Sequence, residues 1–345
     1  MKIIVDAMGG DKAPDEIVKG ALRAADELKL EVVLTGRGEE ILRSIERLGM
    51  SELPKNISIA NAAEVVEMED DPVNGMRGKK DSSMSVGLKM LHENLGDAFV
   101  SAGSTGALLS GATLIVKRIR GIRRAALAPV LPSKSGGFIL IDCGANVECT
   151  PEYLLQFAYM GSYYSEGVLG VSNPRVGLLN NGAEKTKGTR LQTETYALLE
   201  AAAEEGAINF VGNIEGKEAF LGGCDVLVAD GFSGNIMLKS VEGASLFLLS
   251  EIKSVFTSGL LSKLAALVIK GKFKGLRAKM NPDSVGGTAL LGISRPVVKA
   301  HGSSGADAIF NAVRQAKNIV ESEIVNKLQK NVERMKVGRE VKIDM

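Results

Sequence analysis

A chain of 345 residues with 45% hydrophobic and 24% charged side chains can bury a large core and lacks the composition of a disordered or fibrous protein. Its formal net charge of +1 excludes a global attraction to nucleic acid or anionic lipid, so any electrostatic partner must meet a local patch. The three cysteines, Cys143, Cys149 and Cys224, are odd in number and lack CxxC spacing, which excludes a disulfide framework and a cysteine zinc site and suits a reducing cytoplasm.

In chain order, MKIIVDAMGGD sets a strand directly after Met1 with no h-region, so secretion is not expected. The longest apolar runs, such as LAALVI at 264–269, fall short of the ~20 residues that span a bilayer. IIVD (3–6), EVVLTG (31–36) and ISIANA (57–62) are β-branched runs bounded by glycine or polar residues, with helical patterns such as DEIVKGALRAADELKL between them. Pro14 suits the start of that first helix, where its missing N–H would be unbonded anyway. AFVSAG (98–103), FILIDCG (138–144), RVGLLNNG (175–182), INFVGN (208–213) and DVLVADG (225–231) follow. Eight such strands alternating with helices predict an α/β fold, a doubly wound and mostly parallel sheet in a single large α/β/α domain spanning 1–345.

Between Glu251 and Asp283 there are seven Lys or Arg and no acidic residue. Leu246, Leu249, Ile252, Phe256, Leu260, Leu261, Leu264, Leu267 and Val268 recur at helical spacing, and Ser258-Gly259 offers a break, so a projecting amphipathic hairpin of helices is expected over 240–280. Ser304 to Val337 carries two further helical patterns, read as a covering helix and a solvated tail.

Chemistry concentrates where strands break into small residues, because loops at the carboxyl ends of parallel strands line one crevice and helix-opening N–H groups favour an anion. DAMGGD places Asp6 at a strand end, Gly9 and Gly10 for close approach, and Asp11 before a helix; from this motif alone a turn with a helix cap is the preferred reading. In SAGSTGA, Gly103, Ser104, Thr105 and Gly106 combine smallness with hydroxyls and could hold phosphate without a metal. DCGAN and ADGFSGN put Asp142 and Asp230 at strand ends, followed by Asn146 and by Gly234-Asn235; capping accounts for Asn146, whereas the Asn235 amide could donate to an oxyanion. In GLLNNGAEKTKG, Asn180 precedes Lys185 and Lys187, of which Lys187 is better placed to reach the crevice. His92 reads as a surface helix residue, and His301 with Ser303 in KAHGSS as a second anion donor or a turn. No GxxxxGK[ST], GxGxxG or GxSxG motif occurs, which disfavours nucleotide binding and a serine hydrolase.

Taken in order, DAMGGD, SAGSTGA, DCGAN, GLLNNGAEKTKG, GNIEG, DGFSGNIMLK and KAHGSS resemble the bacterial phosphate acyltransferase (PlsX) family, over residues 3 to about 320. Ser104 stands where that family usually has asparagine, and Asn181 stands in a variable place. The resemblance implies transfer of a long-chain fatty acyl group from acyl carrier protein to inorganic phosphate, giving acyl phosphate for a membrane glycerol-phosphate acyltransferase in phospholipid synthesis. It implies a fold similar to that of phosphotransacetylase and isocitrate dehydrogenase, in a cytoplasmic homodimer bound peripherally to the membrane. No cofactor, metal or nucleic acid is expected.

Phosphate is already an anionic nucleophile and a thiolate a tolerable leaving group, so positioning and charge balance matter more than base strength. Lys187 and Asn235 are the expected stabilisers of the oxyanion. The basic hairpin is expected to meet anionic membrane, a second subunit or the acyl chain, and Arg120, Arg123 and Arg124 of KRIRGIRR to dock the acidic carrier protein. The competing expectations are a short-chain phosphotransacetylase acting on acyl-CoA, an isocitrate-type dehydrogenase, and a non-enzymatic lipid-synthesis scaffold.

Overall fold

The eight strands read from sequence are all present in the computed structural model, which describes residues 1–259, Ser262 and 286–336. They are β1 (Lys2–Asp6), β2 (Glu31–Gly36), β3 (Ile57–Asn61), β4 (Ala98–Ser101), β7 (Phe138–Ile141), β8 (Arg175–Leu179), β9 (Asn209–Ile214) and β10 (Val226–Val228). Four short strands join them: β5 (Ala126–Ala128), β6 (Val130–Leu131), β11 (Thr288–Leu291) and β12 (Val297–Lys299). The twelve divide into a seven-stranded sheet, β3-β2-β1-β4-β12-β11-β5, and a five-stranded sheet, β6-β7-β10-β8-β9. Among the described strands only the pairings β11 with β12, β11 with β5, and β6 with β7 are antiparallel, so the α/β class with mostly parallel sheets is what is found.

In the larger sheet the chain lays β2 and β3 to one side of β1 and returns with β4 on the other. This is a topological switch point, where loops at the strand ends part and leave a crevice. The parallel register of β4 with β12 pairs Ser101 with Lys299, while Val5 pairs with Val100. Asp6, Ser101 and Lys299 are thus the last residues of three adjacent strands. Pro129 alone separates β5 from β6, so the chain steps from one sheet to the other beside this row.

Helices cover the sheets because their apolar stripes need burial. Helix α1 (Asp15–Glu27) buries Ile17, Val18, Ala21, Leu22, Ala24 and Ala25, and begins directly after Pro14. Helices α2 (Gly38–Arg47), α3 (Pro72–Gly78), α4 (Ser83–His92) and α5 (Thr105–Gly111) follow, the last running into a π-turn at Ala112–Val116. Helix α6 (Pro151–Leu169) opens with proline, whose fixed φ suits a first turn, and stops at Gly170, whose φ of +73° the next residue in a helix would not adopt. It carries Phe157, Tyr159 and Tyr164 into the core. Helices α7 (Arg190–Glu204) and α8 (Gly216–Phe220) complete the second sheet's covering.

Helix α9 (Gly231–Thr257) ends at the expected Ser258-Gly259 break. Along it Leu246 is 70% exposed, Phe247 63% and Val255 64%, while Phe256 is half-buried. The positions expected in the second arm of the hairpin, Leu260, Leu261, Leu264 and Leu267, lie outside the described residues. Helix α10 (Ala306–Glu321) packs on α1, and α11 (Ile324–Asn331) follows. The stretch read as a solvated tail is packed: Ile324, Leu328, Val332 and Met335 are buried because their spacing presents one stripe to α6. Among the described residues no helix is long and apolar enough to cross a membrane.

Candidate active site

Between the strand ends lies a cavity of about 170 Å³, lined on one side by Thr105, Lys299, Ala300 and His301 and on the other by Asn235, Leu238, Lys239 and Glu242 of α9. Leu127, Pro129, Val130 and Leu131 form its apolar wall, and Cys143, Gly286, Gly287 and Thr288 complete it. The volume is below the roughly 300–1,000 Å³ of pockets that engulf drug-sized ligands, so it suits a small anion and a reacting group rather than a whole acyl chain.

The floor is the strand-end row. The Asp6 carboxylate is buried, accepts from the Ser101 hydroxyl at 2.7 Å and from the Met8 N–H at 3.2 Å, and burial pushes its pKa up. Gly9 is required here: a Cβ would stand 2.6 Å from the Asp6 carboxylate and 2.7 Å from the Gly103 nitrogen. Gly10, at φ +103°, lies against the Gly302 carbonyl, which accepts from the Asp11 N–H at 2.8 Å. The two glycine loops therefore interlock, and Asp11 is exposed at their edge.

The hydroxyls of SAGSTGA separate in role. Ser104 is buried and caps α5, accepting from the Ala107 N–H at 3.5 Å, which leaves Thr105 as the hydroxyl in the cavity wall. Gly106 faces Pro72 of α3. His301 is exposed, and its Nδ1 accepts from the Ser303 N–H at 3.2 Å with the Ser303 hydroxyl 2.9 Å away. With Nδ1 taken as acceptor, the Nε2 of the neutral ring is the donor.

On the opposite rim, the Asp142 carboxylate is saturated. It accepts from the N–H groups of Leu127 (2.8 Å), Cys143 (2.8 Å), Ala145 (3.3 Å) and Asn146 (2.7 Å), and from the Asn146 amide (3.0 Å). Burial pushes its pKa up while these bonds hold it down. The Asn146 amide also donates to the Ala125 carbonyl at 2.8 Å and its backbone carbonyl accepts from the Gly231 N–H, so it ties the two sheets to the start of α9. Asp230 caps α9 through the Ser233 N–H at 2.9 Å. Gly234 allows the helix to sit on the loop, since a Cβ would stand 2.0 Å from the Asp142 carbonyl. That seating delivers Asn235, one residue on, beside Gly144 in the cavity wall.

Asn180 and Lys187 belong to an outlying loop. The Asn180 amide donates to the Lys187 carbonyl at 3.0 Å, and the Lys187 side chain is exposed and outside the cavity lining. Lys185 is held by Glu200 and lies over the Tyr196 ring at 5.4 Å, so of the two lysines Lys187 is the one with no ion pair among the described residues. His92 is exposed at the end of α4, as expected.

Sequence reasoning missed Lys299, Lys239 and Glu242. Lys239 and Glu242 pair at 2.7 Å across one turn of α9. Lys299 is only 7% exposed and donates to the carbonyls of Ala102, at 3.4 Å, and of Ala300. Burial pushes its pKa down to about 8 against the opposing pull of Asp6 and Asp11. The Cys143 thiol in the wall is pushed up by burial and is a poor nucleophile. Among the described residues no group of three or more His, Cys, Asp or Glu is placed to hold a metal.

A family model described as "Fatty acid synthesis protein" matches residues 1–327. A phosphate acyltransferase of Thermoanaerobacter pseudethanolicus is 44% identical over 336 residues, covering 97% of this chain and 98% of the relative. One of Desulfitobacterium hafniense is 46% identical over 341 residues, covering 99% and 100%. The chain belongs to the phosphate acyltransferase (PlsX) family. As a member of it, the chain is a phosphate acyltransferase enzyme. The fold extends further: a phosphotransacetylase from Streptococcus pyogenes superposes with a TM-score of 0.60 at 18% identity over 94% of both chains. A branched-chain phosphotransacylase from Enterococcus faecalis gives 0.55 at 16% identity, over 93% of this chain and 99% of that one. At these identities the likeness carries the architecture, which agrees with the phosphotransacetylase-like fold expected of the family.

Proposed function

We propose that the enzyme moves a long-chain fatty acyl group from acyl carrier protein to inorganic phosphate, giving acyl phosphate for phospholipid synthesis. The observation that carries this reading is the convergence of Thr105, His301 and Asn235 on one small cavity with an apolar wall. A phosphate oxygen attacks the thioester carbonyl carbon; the C–O bond forms, the C–S bond breaks, and the thiolate leaves and takes up a proton from solvent. Phosphate sits beside Gly103, Thr105, Gly106, His301 and Ser303. The Asn235 amide donates to the oxyanion of the tetrahedral intermediate, and Lys187 adds positive charge from its loop as substrate binds. Asp6, Gly9, Gly10, Asp142, Asn146, Asp230 and Gly234 shape the crevice, and Ser104 does so by capping α5.

The carrier protein is proposed to dock on Arg120, Arg123 and Arg124. All three are exposed, Arg123 pairs with Glu152 at 3.1 Å, and Arg124 lies 5.5 Å from the Tyr153 ring. Arg124 is three residues from Leu127 of the cavity wall, a span of at most about 11 Å. The exposed apolar positions of α9 support contact with a second subunit or with the anionic membrane surface, where a glycerol-phosphate acyltransferase would take the product. The test is phosphate-dependent release of carrier-protein thiol from an acylated donor, with no metal or nucleotide added. Release from acyl-CoA but not from acyl carrier protein would replace this reading with a short-chain phosphotransacetylase, and no phosphate dependence would remove both.

A further inference from the structure

Among the described residues, Lys299 is a buried cation without a counter-ion. An ammonium has three N–H donors, and two of them go to the Ala102 and Ala300 carbonyls. Among the described residues no carboxylate pairs with it. Asp6, two strands away, gives one oxygen to the Ser101 hydroxyl, so its charge reaches Lys299 only through space. Burying an unpaired charge is costly, and such groups concentrate at sites where a ligand completes the pairing. The remaining donor belongs to a side chain that lines the cavity together with Thr105 and His301.

Resting on the acyltransfer reading, we propose that Lys299 is the cation that receives the tetrahedral phosphate oxyanion in this cavity. The two carbonyls fix the ammonium in place beforehand, so little is lost in ordering it when the anion arrives. The other charged or titratable groups around it are Asp6 at the end of β1, Asp11 in the following loop, Lys239 and Glu242 on α9, Cys143 after β7, and His301 two residues on. Lys239 is already paired with Glu242, and Asp6 and Asp11 repel an anion. Lys299 is thus the lysine in the lining left to neutralise the ligand. The same tetrahedral chemistry exists in free phosphate and in the phosphodiester of a carrier-protein prosthetic arm, and the cavity's size favours the free ion.

The full-length chain and its Lys299→Met and Lys299→Arg variants decide the matter, with initial rates of thiol release measured against phosphate and against acyl donor separately. Calorimetric Tm is recorded with and without inorganic phosphate. The expected result for Lys299→Met is a phosphate KM raised by roughly 30- to 100-fold, the loss of one charge-assisted hydrogen bond. Its donor KM should be unchanged, and the chain should still fold without phosphate, because removal of an uncompensated buried charge offsets the loss of the bonds to the Ala102 and Ala300 carbonyls. The phosphate-induced rise in Tm should vanish, and Lys299→Arg should restore part of both phosphate responses. An unchanged phosphate KM, a retained phosphate-induced rise in Tm, or a raised donor KM in place of the phosphate KM would overturn the assignment. So would a Lys299→Met chain that does not fold, since that would make Lys299 a packing group. If the parent enzyme releases no thiol with phosphate, the acyltransfer reading fails by itself, and the Tm responses of parent and variant still judge the anion site.

Discussion

The two rims of the cavity are built from the same local pattern and end in opposite states. At the end of β7, Asp142 is followed by glycine and small residues, and its carboxylate is filled by five N–H bonds that hold the two sheets and α9 together. At the ends of β1, β4 and β12, Asp6, Ser101 and Lys299 also stand in front of glycine and small residues, yet the row leaves an ammonium donor unfilled. An acid at a strand end before glycines therefore specifies a close-packed loop crossing. Whether the crossing is a knot or a site depends on counting donors against acceptors.

The largest effect expected from breaking this contrast is on the closed rim. Asp142→Ala orphans buried N–H groups of Leu127, Cys143 and Asn146 and should cost about 3–5 kcal/mol of stability, read as a fall in the denaturant midpoint. Activity per folded molecule should fall mainly through displacement of α9. On the open side, Asn235→Ala removes the amide facing the cavity without touching a core contact. It should lower kcat on the order of 10²- to 10³-fold, about 2.7–4 kcal/mol of transition-state stabilisation, with an unchanged Tm. A drop in Tm with a preserved kcat would reverse the assignment of rims.

The pH response gives an intermediate effect with two opposed signs. Burial lowers the Lys299 pKa from 10.5 to about 8, so between these values the unfolded chain binds more protons than the folded one at this site. Stability contributed by this group therefore rises with pH through that window, while phosphate affinity falls as the ammonium discharges. The difference between parent and Lys299→Met, in both Tm and phosphate KM, isolates the group from other titrations. A phosphate KM flat from pH 8 to 10 in the parent would contradict the charge state assigned here. The smallest effect belongs to the exposed basic patch: neutralising Arg120, Arg123 and Arg124 should raise the KM for acyl carrier protein several-fold at low salt, with the difference shrinking at high salt.

Seven of the eight expected strands were legible as runs of four to six residues ending at glycine or small polar residues, and the three-residue β10 was legible from the strand-end signal in VLVADG. The strands β5, β6, β11 and β12, of two to four residues, were not, since so short a run carries no period and forms only against its neighbours. Their positions decide the split into two sheets. Asn235, Thr105 and His301 were found from strand-end glycines and small residues, and the structure brings them to one cavity. Ser104 and Asp230 turn out to cap α5 and α9, roles not assigned to them from sequence. Lys299 escaped notice because lysine is usually a surface residue and its burial is a property of β4, β11 and β12 together. The available signal was its place, directly after the apolar PVV run and before AHGSS.

The central claim, that the cavity beneath Asn235 receives inorganic phosphate at Lys299, is tested most directly by a crystal structure of the enzyme grown with phosphate. The account predicts a phosphate within hydrogen-bond distance of the Lys299 Nζ and the Thr105 hydroxyl, on the side of the cavity facing Asn235. Phosphate bound elsewhere on the enzyme, with Lys299 paired to a protein carboxylate and the cavity closed, would contradict it.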